Sequence, residues 1–548
     1  MRDHLEVSSG HEIDDYCHRR RSMVVMEENS EVGTSTFPKE IVQFLSSPGG
    51  HSLILRGMAG TGKTTLALQM IEELAQLQQS YYMSTRVSDH SLFNQFPWLM
   101  DKVKEGEILK ARKKLRKKAD SEMQVEKILL GLAAIKGELK GAKVKSPRSE
   151  LHRLEGKIEA GGDEDASAAE PTGEDELTVT VGSMMPEIEM AYDVVDKALP
   201  ERTLIIIDSI DALADKYGVG PARLINALQK DLVEGCGTNI VYVLETPDPL
   251  LDYLGDGVLY LSLDHSSGRR IRELDLLKLR GCEIRQPKYV YTLLGGRVRT
   301  FEYSRYGKPE SPMTFEPIKS SNEKYMSTGN PDLDEMLEGG LRKGTIALIE
   351  LNPGVPVVSS SQIENAIICN FASQDHGVAW MPTKKTGADT AREELLGFIT
   401  PETFDKNVRI LEPHAASASP KDYSMTLEGG DVNVDIKWQD LQYALKDTQQ
   451  PYLAIIGFDS LESIYGPTVL NGMMDFLTAM LNNDGILVAT VTPSVKSTSR
   501  LSDLAHTHLR IDKTSGVTVI RGDEPFTAPY AMTAPDSGDF RPNLVPIL

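Results

Sequence analysis

The stretch from His51 to Met70 constrains this chain more than any other. A short apolar run leads into Gly57-Met-Ala-Gly-Thr-Gly62-Lys63-Thr64, and an apolar-periodic segment follows. Strand, glycine-rich loop and helix in that order make a P-loop. Such a loop turns its backbone N–H groups inward around phosphate oxygens, which calls for glycine at Gly57, Gly60 and Gly62. The cradle so defined comprises Gly57, Met58, Ala59, Gly60, Thr61, Gly62, Lys63, Thr64 and Thr65. A helix beginning near Lys63 aims its positive dipole end at the same phosphates. Lys63 adds a mobile charge for the β and γ phosphates, and the Thr64 hydroxyl is placed to complete a Mg²⁺ shell. The expected cofactors are therefore ATP and Mg²⁺.

Length and charge bound what such a site belongs to. At 548 residues the chain has room for two or three domains. A formal net charge of −21 argues against coating nucleic acid or a membrane with the whole surface, so such contact has to come from a local patch. Cys17, Cys236, Cys282 and Cys369 are far apart, show no metal-ligand spacing and read as reduced thiols. No signal-like apolar core opens the chain, and no segment approaches the roughly 18 apolar residues of a membrane span. A cytoplasmic protein without membrane contact is expected.

Residues 1–36 are polar and read as a loose tail. Pro38 opens a short helix ending near Leu45, and Ser80 to Arg86 reads as a second strand. The aromatic cluster at Phe96 to Leu99 is expected to be core or interface, because no basic residue is interleaved with it. Residues 101–178 change character. Lys110 to Lys118 carries seven basic residues in nine, helical spacing follows through Leu139, and acidic runs at Asp163 and Glu174 bracket a flexible linker. A helical insertion with one basic arm is expected there. The arm suits an exposed face or a partner-binding patch equally.

Beyond the insertion, Pro186 opens a helix, and Thr203-Leu-Ile-Ile-Ile-Asp208 reads as a buried parallel strand. Such a strand delivers Asp208 to the ligand-binding edge of the sheet, where it would hold Mg²⁺ through water opposite Thr64. Asp211 is expected to cap the next helix. Another strand runs from Thr238 to Glu245, and segments near 256–263, 270–281 and 289–293 suggest an antiparallel edge.

This order of elements resembles the KaiC branch of the RecA-type ATPases. The likeness rests on the P-loop, the strand ending Asp208-Ser209, the Gly257-Val-Leu-Tyr-Leu strand and the Lys278-Leu-Arg280-Gly281 strand. A second opening of the same kind lies at Ser327 to Gly344. Among members with two domains and a basic insertion, the chain is most similar to the archaeal gas-vesicle regulators of the GvpD type. The resemblance implies an α/β fold of two RecA/KaiC-like domains, at 37–305 with the insertion and at 320–548. The second is expected to be degenerate, since Pro356, Val357 and Val358 stand where Gly62, Lys63 and Thr64 stand in the first. Tyr452 to Ser460 keeps the form of an acid-ended strand, with Asp459 as its acid.

The same resemblance bears on chemistry. RecA-type enzymes place a water-orienting glutamate at the end of the strand after the P-loop helix, where this chain has Thr85-Arg86. Hydrolysis is therefore expected to be slow or to depend on another acid such as Glu245. Lys278 and Arg280 match residues that reach the γ phosphate of a neighbouring subunit, which implies a homo-oligomer; a salt-bridged edge strand is the other reading. The expected function is an ATP-binding regulator that represses through a protein partner, a transcription activator of gas-vesicle genes. The rival is a RecA-like ATPase tracking DNA through Lys110 to Lys118.

Overall fold

In a computed structural model, the described residues are 37–74, 78–85, 87, 89–99, 185–304, 314–320, 322–383, 387–413, 421–534 and 539–548. The expected tail, basic arm and acidic linker lie outside them. Two sheets organise the rest. The front sheet has the strand order β2-β3-β4-β1-β5-β6-β7-β8, built from Ser52–Gly57 (β1), Gln79–Ser84 (β2), Thr203–Asp208 (β3), Asn239–Val243 (β4), Gly257–Ser266 (β5), Arg269–Leu279 (β6), Lys288–Thr292 (β7) and Arg299–Phe301 (β8). From β2 to β5 the strands are parallel, and from β5 to β8 antiparallel.

The parallel strands explain the apolar runs. Every residue of β1 and β4 is buried, as expected of strands covered by helices on both faces. On one face pack Ile41 and Phe44 of the helix Lys39–Ser46 and Leu66 and Met70 of the P-loop helix Lys63–Leu74. On the other pack Ile188 and Tyr192 of the helix Pro186–Ala198, with Leu224 and Ile225 of the helix Pro221–Leu228. Each Å² of apolar surface these two layers remove from water stabilises the front half by about 25 cal/mol.

The rear half repeats the plan. A hairpin-like pair, Tyr325–Met326 (β9) and Leu341–Arg342 (β10), precedes a ten-stranded sheet. Its order is β14-β13-β12-β15-β16-β11-β17-β18-β19-β20. The strands are Ile346–Leu351 (β11), His376–Met381 (β12), Val408–Pro413 (β13), Ser424–Leu427 (β14), Gln449–Gly457 (β15), Ile486–Val491 (β16), Thr507–Thr514 (β17), Val517–Glu524 (β18), Tyr530–Thr533 (β19) and Asn543–Pro546 (β20). The expected α/β class is borne out. The run β12-β15-β16-β11-β17-β18-β19-β20 reproduces the front order strand for strand. The additional edge strands β13 and β14 occur between β12 and β15, the interval that residues 100–184 occupy in the front half.

The register corrects one expectation. In the front half Asp208 pairs with Val243, and Val243 pairs with Leu55, two residues before the strand-ending Gly57. In the rear half Gly457 pairs with Thr490, and Thr490 pairs with Ile349, two residues before Leu351. Gly457, not Asp459, therefore occupies the place of Asp208. Asp459 falls in the first turn of the following helix, Phe458–Tyr465.

Front and rear also touch. Val290 and Phe301 share an apolar cluster with Val517, Val519, Ala531 and Ile547. Arg269, on β6, donates to the Thr527 and Gly522 carbonyls and pairs with Asp523 at 3.1 Å. Ser515 donates to Glu273, and the Thr518 amide donates to Ser304.

Candidate phosphate-binding site

β1 ends at Gly57 and the helix starts at Lys63, so the loop occupies the C-terminal edge of the front sheet. A side chain at Gly57 would put its Cβ 2.3 Å from the Leu261 carbonyl oxygen on β5. Gly62 has φ +88, a left-handed conformation, and a Cβ there would meet Leu293 at 2.9 Å. Gly57 and Gly62 are thus also required by the packing beneath the loop, whereas Gly60 is required by its left-handed φ of +78 alone.

Lys63 and Thr64 are placed by the first turn. The Lys63 ammonium donates to the carbonyls of Gly57 and Met58 at 2.7 and 3.0 Å. Desolvation lowers its pKa, opposed by the charges of Asp208, Glu245 and Asp211. Thr64 Oγ1 donates to Asp208 Oδ2 at 2.7 Å, although 144 residues separate them. That contact joins the two residues expected to share Mg²⁺.

Glu245 lies just past β4, the strand between β3 and β1. Its Oε1 accepts from Ser209 Oγ at 2.9 Å, which fixes it beside Asp208. Asp211 departs from expectation. Ser209 caps the helix Ile210–Tyr217 by accepting from the Ala212 amide, while Asp211 accepts the Glu245 amide at 2.7 Å. Asp211 thus ties the end of β4 to the helix after β3, and burial raises its pKa. Sequence reasoning missed Tyr82. On β2, its hydroxyl donates to the same Asp208 Oδ2 at 2.8 Å, and burial, reinforced by the carboxylate, pushes its pKa up. The alternation of a strand next to β3 is the only local signal that points Tyr82 inward.

The residues fit a magnesium nucleotide. Among the described residues no three His, Cys, Asp or Glu side chains form a metal cage. One carboxylate beside one hydroxyl suits Mg²⁺, which takes its other ligands from phosphate and water.

Lys278 and Arg280 stand elsewhere. β5 runs parallel to β1, and Leu279 on β6 pairs with Gly257, which pairs with Leu53 near the start of β1. Both basic residues therefore lie toward the sheet edge opposite the P-loop. Lys278 donates to the Gly255 carbonyl at 2.6 Å, and the exposed Arg280 pairs with Asp256 at 2.8 Å. The aromatic cluster is packed as expected, with Phe96 and Trp98 against Leu68 and Phe93. It does have a basic neighbour, because the fold brings Arg297 over Trp98 at 4.6 Å.

Comparison with known proteins agrees with this geometry. A family profile described as "GvpD gas vesicle protein, P-loop domain" matches residues 41–131, from the helix before β1 into the insertion. Protein GvpD2 of Halobacterium salinarum is 24% identical over 534 residues, covering 93% of this chain and 96% of the relative. This is a GvpD-like P-loop protein. Protein GvpD1 of the same organism is 22% identical over 555 residues, covering 90% of the GvpD-like chain and 93% of that relative. The GvpD likeness thus extends through the rear half, well past the profile match. Among the described residues of the GvpD-like chain, no helix is long and apolar enough to cross a membrane.

Proposed function

We propose that this chain is a nucleotide-responsive regulator of gas-vesicle genes that binds one MgATP at its front P-loop and represses through a protein partner, a transcription activator. The observation that carries the nucleotide reading is the 2.7 Å contact between Thr64 and Asp208, with Lys63 opening the same helix as Thr64. Bound there, Mg²⁺ would supply neutralisation of phosphate charge. Thr64 and Asp208 would hold the ion, Lys63 would leave its loop carbonyls for phosphate oxygen, and the Gly57 to Thr65 amides would surround the phosphates.

Glu245 is the candidate for orienting water, since Ser209 holds it one strand from Asp208. It reaches the site from β4 rather than β2, which supports slow hydrolysis and a switch rather than a motor. Lys278 and Arg280 face away from their own P-loop, so an action on phosphate would come from a neighbouring copy of the chain. The GvpD likeness over both halves supports the gas-vesicle assignment.

A reporter driven by a gas-vesicle promoter tests the whole reading. Repression by the native chain and its loss with Lys63→Ala, at equal protein level, is the expected result. Unchanged repression by Lys63→Ala would show nucleotide to be incidental.

A further inference from the structure

β6 carries two buried arginines toward the rear half, and they are used differently. Arg269 spends most of its donors on rear-half groups, the Thr527 and Gly522 carbonyls and Asp523, and stacks on Phe526 at 3.9 Å. It fastens the two halves together. Arg272 is divided. Its Nε donates to the main-chain oxygen of Leu548 at 2.7 Å, and its Nη1 donates to the Gly60 carbonyl of the P-loop, also at 2.7 Å. One guanidinium thus spans from the phosphate loop to the segment that follows β20.

Neighbouring contacts make this a fixed arrangement. Tyr291 on β7 donates to the Thr61 carbonyl at 2.5 Å. Two successive carbonyls of the loop are therefore held from outside by front-sheet side chains. In a trans peptide the N–H points opposite to the C=O. Holding the Gly60 and Thr61 carbonyls outward turns the Thr61 and Gly62 amides to the other side, where a phosphate would lie. On the rear side, Thr292 donates to the Pro546 carbonyl and accepts the Leu548 amide, at 2.8 and 3.2 Å. Ile547 is buried in the apolar cluster shared by the halves.

We infer that Arg272 is a positioning residue of the P-loop, and that through it nucleotide binding in the front half and docking of residues 543–548 of the rear half strengthen each other. The inference rests on the nucleotide reading above. A nucleotide that selects the loop conformation with outward Gly60 carbonyl also selects the Arg272 rotamer that holds Leu548. By linkage, a docked Leu548 raises nucleotide affinity by the same factor. The degenerate half, without a phosphate loop of its own, then reads the state of the working one. Arginine is suited to this because two separate nitrogens of one rigid plane, Nε and Nη1, donate to the two acceptors, whereas lysine has a single nitrogen at the end of a flexible stem.

The test combines MgATP titration with hydrogen–deuterium exchange on the full chain, following the Ile547 and Leu548 amides, which donate to Pro529 and Thr292. In the native chain MgATP is expected to slow their exchange. Arg272→Lys keeps the charge but has one donor nitrogen in place of the separate Nε and Nη1, so it should bind MgATP about tenfold more weakly, within the usual range of coupling. Exchange at 547–548 in that variant should be the same with and without nucleotide. Thr292→Val removes the bonds to Pro546 and Leu548, and one to the Leu294 amide, and none of these partners is a P-loop residue; it should also weaken MgATP binding, and it carries the test if Arg272→Lys does not fold. Native-like affinity together with native-like nucleotide-dependent protection in either folded variant would overturn the inference. So would MgATP binding by the native chain with no change at 547–548. If the native chain binds no MgATP, the nucleotide reading itself fails, a result distinct from both.

Discussion

The front and rear halves share one strand order, yet the same places in the two sheets are filled with different chemistry. Where the front has Gly62, Lys63 and Thr64, the rear has Pro356, Val357 and Val358, so an amide donor, a charge and a hydroxyl are all lost. Gly354 keeps φ +87 where Gly60 has +78, so the left-handed turn of the loop is retained without those groups. The register adds a further loss, since Gly457 replaces Asp208. In the interior, Glu364 stands seven residues past Val357, as Met70 stands seven past Lys63. It bonds to Thr490, which occupies the place of Val243. The fold tolerates removal of the whole phosphate-binding apparatus because the layers beneath it supply the stability.

This contrast breaks most sharply at Lys63. Lys63→Ala should weaken MgATP binding by about 3 kcal/mol, a hundredfold, since it removes a charge-assisted bond to phosphate. Titration with a fluorescent ATP analogue measures it. Asp208→Asn should cost about thirtyfold in the presence of magnesium and leave binding in EDTA nearly unchanged. A loss of equal size in EDTA would mean that Asp208 acts on the loop rather than on the metal.

Glu364 sharpens the comparison from the rear. Burial raises its pKa above the ordinary 4.5, so the folded state holds a proton that the unfolded chain releases. Its contribution to stability is full below that value and is lost as pH rises toward the folded pKa, at about 1.4 kcal/mol per pH unit. Urea denaturation across this window should show Glu364→Gln losing less stability than the native chain. Parallel pH profiles would contradict a buried neutral carboxyl. Tyr82→Phe removes one of two hydroxyls on the Asp208 carboxylate and should cost about 1 to 2 kcal/mol in the same assay. The smallest expected effect is the most pointed. Grafting Pro356→Gly, Val357→Lys and Val358→Thr together should create no second magnesium-dependent site, because Gly457 offers no carboxylate. A gain of such a site would show that Asp459 can serve after all.

What was legible in sequence was what is local. Gly57 to Thr64 and the apolar run into Asp208 carry their meaning within a few residues, and the structure joins them by the Thr64–Asp208 contact. Pairing was harder to see. Phe458-Asp459-Ser460 reads like Ile207-Asp208-Ser209, and only the partners of β15 show that the acid has slipped past the strand end. Tyr82, Arg272 and Tyr291 had no motif to mark them, because each acts across at least 120 residues of chain on Asp208, Gly60 or Thr61. Asp211 was misplaced because Ser209 competes for the same cap and lies at the right position.

The central claim is that one half grips a magnesium nucleotide and the other has lost the means. Equilibrium titration of the full chain with MgATP, read as stoichiometry, tests it most directly. One equivalent per chain, abolished by Lys63→Ala, is the result expected. Two equivalents, or none, would contradict it.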